Sequence, residues 1–269
     1  MRYKYLLSLL YVSVPSEQLL MTMGTTNLII LCAILFVTVC DGQFLRNNST
    51  DGCSLILDED GKSSKSLMLT DVGLTSDIFV VGVGMECELT ILLVGGGGGG
   101  GSGYLEYRSI TVEARSIVTV RVGDPRQSSS VSLSNGDTYM AQPGGERGCA
   151  GGHCSDGGDG YSGGGALPNS QLDRGGNGGS DGGNGGDVSD GGKGGKGTGE
   201  DISKYTFNAW TLSPGSGGRH DDYIPGGGGG VLVDGAGPRA DEYNGEGYGG
   251  GGGGYYNTGS QGVILIETV

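Results

Sequence analysis

The sequence predicts an all-β protein: a β-sandwich or jelly roll that carries an insert of polyglycine helices. Three observations lead there. Short β-branched and leucine-rich runs recur from Cys53 to Ala141 with turn signals between them, the texture of a sandwich. The stretch 144–254 then holds 43 glycines in 111 residues, and part of it keeps a frame of three. A last apolar run, Gly262 to Thr268, follows, so the insert begins and ends in strands and its ends must meet. No amphipathic helix of useful length is legible.

The strands are expected at Ser54–Leu57, Ser66–Thr70, Asp77–Val83, Glu88–Val94, Tyr104–Glu113 and Ser116–Val122. In Ile117–Val122 the residues Val118, Val120 and Val122 alternate with Thr119 and Arg121, the period of a half-buried strand. Val131–Ser134 and Thr138–Ala141 flank Asn135-Gly136, the strongest short hairpin signal.

The insert is glycine-rich in an ordered way. From Gly182 the chain reads GGN, GGD, VSD, GGK, GGK without a break, and GGN, GGS precedes it from Gly175. The third places are Asn177, Ser180, Asn184, Asp187, Asp190, Lys193 and Lys196, all polar. A helix of three residues per turn, rising roughly 3.1 Å per residue, sets every third side chain on one edge. Its glycine edges can then approach neighbouring backbones and bond to them laterally. Such a bundle needs no hydrophobic core, which suits a stretch where only Leu172 and Val188 are apolar between Gln171 and Thr198. The competing reading is a flexible glycine-rich tail. Collagen is excluded, because 62 of the 269 residues are glycine but only 7 are proline.

The start of the chain points outside the cell. Asn27–Val39 is an uncharged apolar run of 13 residues, the length of a signal-peptide core and short for a membrane span. Cleavage before Gln43 makes residues 1–42 the leader, with Met21 or Met23 as an alternative start; a membrane anchor is the competing reading. No stable membrane insertion is expected after cleavage. Residues 43–52 form an exposed segment with two overlapping N-x-[ST] sequons, at Asn47 and Asn48. Residues 53–269 form one glycine-rich β domain. Four cysteines remain in it, and in a secreted chain they imply disulfides with three possible pairings. Cys53–Cys87 and Cys149–Cys154 are favoured, since each pair flanks a coherent local segment. A zinc site at Cys149, His153 and Cys154 is disfavoured, because no second ligand pair lies nearby.

Three glycine runs, Gly95–Gly101, Gly226–Gly230 and Gly249–Gly254, punctuate the chain. The order of an apolar strand ending Leu92-Leu93-Val94, a glycine run, short strands, GGX repeats, Gly247–Tyr256 and a terminal strand resembles the glycine-rich extracellular domain of the anaplastic lymphoma kinase and leukocyte tyrosine kinase receptors. It is also similar to glycine-rich adhesin domains of phage tail tips. The likeness covers roughly Cys87 to Val269. It implies a jelly roll like that of tumour necrosis factor with an inserted bundle of polyglycine helices, and a general role in extracellular recognition. The chain departs from those receptors in showing no kinase motifs and no membrane helix after the domain, and no ligand-binding residue carries over.

Charge and motifs narrow the function. With 16 Lys+Arg against 30 Asp+Glu, the net charge is −14, which repels nucleic acid backbones. The glycine runs match nucleotide-binding patterns only trivially, since no Gly-Lys-[Ser/Thr] follows and no helix opens there. Gly182–Asp190 fits one imperfect copy of a calcium β-roll repeat, with Ser189 where a large apolar residue belongs. Weak calcium binding by surface carboxylates is a lesser expectation, and no cofactor is expected. His153 and His220 lie in glycine-rich loops with nothing to position them as bases. The expected protein is therefore not an enzyme. It is a secreted recognition protein for an extracellular protein or glycan. A self-associating glycine-rich matrix protein is the alternative, and an ice-binding protein a minor one. Trp210, Tyr223, Tyr243, Tyr248, Tyr255 and Tyr256 are the candidate binding surface, with packing of the insert against the sandwich as their competing role.

Overall fold

In the computed structural model the described residues are 52–57, 61–84, 86–150, 153–167, 176–188, 193–220, 224–238, 243–253 and 257–269, with backbone alone at 148–150 and 153–155. The predicted leader, Asn47 and Asn48 lie outside them, as do Tyr223, Tyr255 and Tyr256. In chain order the strands are β1 Ser54–Leu57, β2 Ser63–Ser64, β3 Ser66–Leu69, β4 Thr75–Val81 and β5 Glu86–Val94. Next come β6 Leu105–Glu113, β7 Ile117–Arg121, β8 Ser129–Leu133, β9 Thr138–Ala141, β10 Gly148–Ala150 and β11 His153–Asp156. The last three are β12 Leu212–Pro214, β13 Val231–Val233 and β14 Val263–Thr268. One 3-10 turn, Ile202–Lys204, is the only helical element among the described residues, and no helix there is long and apolar enough to cross a membrane.

The strands form an all-β fold of antiparallel sheets. A six-stranded sheet runs β2-β1-β4-β7-β8-β9 and a four-stranded sheet runs β3-β14-β5-β6. Alternation places one face of each in a common core. Leu55, Ile78, Val80, Val118, Val120 and Val131 of the larger sheet meet Leu89, Ile91, Leu93, Ile264 and Ile266 of the smaller. The smaller sheet is buried on its other face too. Leu92, Val94, Val263 and Leu265 belong to a second core with Tyr161, Ile202, Leu212, Val231 and Val233. Burial on both faces explains why Ile91–Val94 and Val263–Ile266 are unbroken apolar runs rather than alternating ones. The hairpin of β8 and β9 turns at Asn135-Gly136, with Gly136 at φ +96°. Asn135 Oδ1 accepts the Asp137 N–H at 2.9 Å, which closes the turn.

Cys53 and Cys87 form a disulfide that ties the segment before β1 to β5. On the β10–β11 ribbon, Cys149 faces Cys154 in register; their side chains lie outside the described residues.

The glycine-rich segments are bonded laterally to one another. The five successive N–H groups of Gly226–Gly230 reach three different neighbours in turn. Gly226 and Gly229 donate to the carbonyls of Gly176 and Gly179, Gly227 and Gly230 to those of Tyr243 and Glu246, and Gly228 to Gly100. The same three-residue step recurs where Gly157 and Gly160 donate to Lys193 and Lys196, and where Gly163 and Ala166 donate to Gly183 and Gly186. These peptide groups are mostly buried, and each finds a partner outside its own segment. The polar third places Asn177, Ser180, Asn184, Asp187, Lys193 and Lys196 are all exposed; Asp190 lies outside the described residues.

Candidate functional site

Aromatic side chains gather on the outer face of the smaller sheet, where the insert returns to it. Tyr107 points outward from β6 by strand alternation. Tyr205 and Phe207, two residues apart after the 3-10 turn, reach the same face. Tyr107 stacks on Tyr205 with ring centres 4.6 Å apart and meets Phe207 edge-on at 6.0 Å. Phe207 meets Trp210 edge-on at 5.7 Å. Lys204 lies over the Tyr205 ring at 4.8 Å and pairs with Glu200 at 3.3 Å. Tyr205 donates to Glu200 Oε2 at 3.2 Å.

One carboxylate on the terminal strand positions this group. Glu267 is buried, and it accepts from the Asn208 N–H at 2.9 Å, the Asn208 side-chain amide at 2.6 Å and the Ala209 N–H at 3.3 Å. A buried carboxylate is stable only when so bonded. The loop between Phe207 and Trp210 is thereby fastened to β14.

The predicted surface residues divide. Trp210 and Tyr248 are half-buried and both pack on the second core, with the Tyr248 phenol pushed up by burial. Tyr243 stands apart within the insert, half-buried, its carbonyl accepting from Gly227. Tyr107 and Tyr205 join Trp210 although they were not singled out from sequence. The signal was present in the two-residue spacing of Leu105 with Tyr107 and of Tyr205 with Phe207.

Tyr161 is a further residue of this region. Its ring is fully buried and its hydroxyl donates to Asp181 Oδ1 at 3.0 Å. Burial first, and then the bond to Asp181 and that carboxylate's charge, drive its phenol far above the ordinary range. It pins the insert to the second core.

Asn184 and Asp187, two of the residues read as a calcium repeat, are engaged within the insert. Asn184 Oδ1 accepts the Gly197 N–H at 2.8 Å, and Asp187 Oδ1 accepts that of Gly194 at 2.7 Å. On the next segment Asp156 and Asp159 accept from Lys193 and Lys196 at 3.0 and 2.6 Å. No group of three or more metal-ligating side chains occurs among the described residues. His220 is half-buried, and its Nδ1 lies 2.7 Å from Asn177 Oδ1.

No family model, no curated protein and no solved structure matches this chain. The functional reading therefore rests on the sequence and on this geometry.

Proposed function

We propose that this chain is a secreted, non-catalytic recognition protein built on a rigid glycine scaffold. In this reading the two sheets form a jelly roll. What supports it is a path that goes from one sheet to the other at each step from β3 to β4 to β5, and a terminal β14 that inserts between β3 and β5. The glycine segments are polyglycine II helices packed side by side. The observation that carries this is the rotation of the Gly226–Gly230 donors through three neighbours with a repeat of three. A bundle of that kind holds loops in place without a hydrophobic core. The aromatic group around Trp210 is then available to an extracellular protein or glycan. The apolar leader-like run, the sequons and the Cys53–Cys87 bridge suit an oxidising compartment.

The test is to express the whole chain in a secreting eukaryotic cell and sediment the protein from the medium over a range of dilutions. The reading predicts a discrete monomer or one defined oligomer. Polydisperse material that grows with concentration contradicts it and favours a self-associating matrix protein.

A further inference from the structure

We infer that β6 is a dimerisation edge: two copies of this chain join β6 to β6, antiparallel and centred on Tyr107, about a two-fold axis. The two four-stranded sheets then run on as a single sheet. The inference goes beyond the recognition reading above and does not depend on it.

The smaller sheet ends in β6, a strand of nine residues. The other edge strands of the two large sheets, β2, β3 and β9, have only two to four. A long edge is normally guarded by Pro, Lys or a bulge. Here the register with β5 is unbroken from Glu86↔Glu113 to Val94↔Leu105, and the strand holds no Pro and no Lys. Gly95 N donates to Tyr104 O at 3.0 Å. By alternation Glu106, Arg108, Ile110 and Val112 therefore bond to β5, and Leu105, Tyr107, Ser109 and Thr111 turn their peptide groups away from it. Those four make no backbone bond on that side among the described residues. Ser109 and Thr111 are exposed.

Charge chooses the occupant and the register. Tyr107 is flanked by Glu106 and Arg108, which pair within one copy at 2.6 Å and keep side chains 26% and 54% exposed. Antiparallel pairing about Tyr107 sets Glu106 opposite Arg108 of the second copy, and the two-fold axis repeats the match. Centring on Glu106 or on Arg108 instead sets like charges face to face. Centring on Ser109 sets Arg108 against Ile110 and Glu106 against Val112, with neither charge matched. Opposite charges two residues apart are thus complementary to themselves in one register alone.

In that register Tyr107 meets Tyr107 and Leu105 meets Ser109. Their outward peptide groups supply about six hydrogen bonds between copies, two for each bonded pair. The ladder ends there, because the next pair would need the Gly103 N–H, already donated to Gly249 O at 2.7 Å. The two Tyr107 rings lie side by side on the outer face, which joins the aromatic groups of the two copies. Both edges are used up, so the dimer is closed and does not grow.

The experiment is sedimentation of the whole secreted chain over a dilution series, with melting temperatures as the check on folding. A reversible monomer–dimer equilibrium is expected, with dissociation constant below about 100 μM. Ser109→Pro removes an N–H that points away from β5 and should weaken the dimer at least about tenfold. Glu106→Arg and Arg108→Glu should each weaken it as much. An equimolar mixture of those two single variants should associate again, because opposite charges then face each other across the copies. A parent chain that stays monomeric at about 100 μM overturns the inference, as does a dimer indifferent to Ser109→Pro or a mixture that fails to associate. A discrete monomer refutes this dimer and leaves the recognition reading standing, whereas polydisperse growth with concentration refutes both.

Discussion

Replacing one glycine by alanine separates an ordered bundle from a flexible tail, because the two give opposite signs. Gly228 lies at the meeting of several glycine segments. A Cβ there would overlap the carbonyl oxygen of Ser162, so the two segments must part. Gly228 donates to Gly100 O at 2.9 Å, and its own carbonyl accepts from Gly251 N at 2.8 Å. Both partners are buried, and a buried peptide group left unpaired costs about 1–3 kcal/mol. Losing both bonds costs about 2–6 kcal/mol, against a total stability of about 5–15 kcal/mol for a typical domain. For a domain of this size that is a fall in melting temperature of about 5–20 °C. The assay is urea and thermal unfolding followed by the fluorescence of Trp210, the single tryptophan, which packs on the second core. Gly84→Ala is the control, since its Cβ would meet nothing closer than 3.8 Å, and it should change stability by less than about 1 kcal/mol. In a disordered tail Gly228→Ala would be neutral or slightly stabilising. A variant that melts at or above the parent's temperature refutes the reasoning.

Three further outcomes are expected. Replacing Cys53 and Cys87 by alanine removes a bridge across 34 residues and should lower stability by about 2–5 kcal/mol, read as a lower urea midpoint. Tyr161 has its folded-state phenol raised, so the folded state keeps a proton that the unfolded state releases. Its contribution is therefore complete below about pH 10, the unfolded value, and is lost above it at about 1.4 kcal/mol per pH unit. Tyr161→Phe should flatten that alkaline decline in a series of melts, and an unchanged slope counts against the assignment. Glu267→Gln places a side-chain NH2 among N–H donors and should cost about 1–3 kcal/mol, with a red shift of Trp210 emission as the loop from Phe207 loosens; an unshifted spectrum would show that Glu267 does not position the loop.

Much of the sheet framework was legible because burial on a pleated surface writes a period of two. Ser54–Leu57 and Thr138–Ala141 form where the pattern put them, and the terminal strand begins one residue later than expected, at Val263. Asn135-Gly136 marked its hairpin because only a few residue types tolerate that turn. Cys53–Cys87 was reachable from spacing. The exposure of the third places followed from their polarity, but their second role did not. Asn184 and Asp187 each accept an N–H from an adjoining glycine segment, as Asp156 and Asp159 do outside the frame, and which segments adjoin depends on contacts far apart in sequence. The β12–β13 ribbon was missed for the same reason: three residues on each side carry no period, and Leu212 meets Val233 only once the insert has folded. The aromatic group was half legible. Its members were visible, but Glu267 as its anchor was not, because a lone Glu in an apolar strand gives no sign of which loop it will hold.

The most direct test of the account is amide hydrogen exchange on the secreted chain, followed across Gly176–Gly186, Gly194–Gly199 and Gly226–Gly230. The laterally bonded bundle predicts exchange there as slow as in β5 and β14, released only by global unfolding. Exchange at the random-coil rate in these segments, with β5 and β14 still protected, would contradict it.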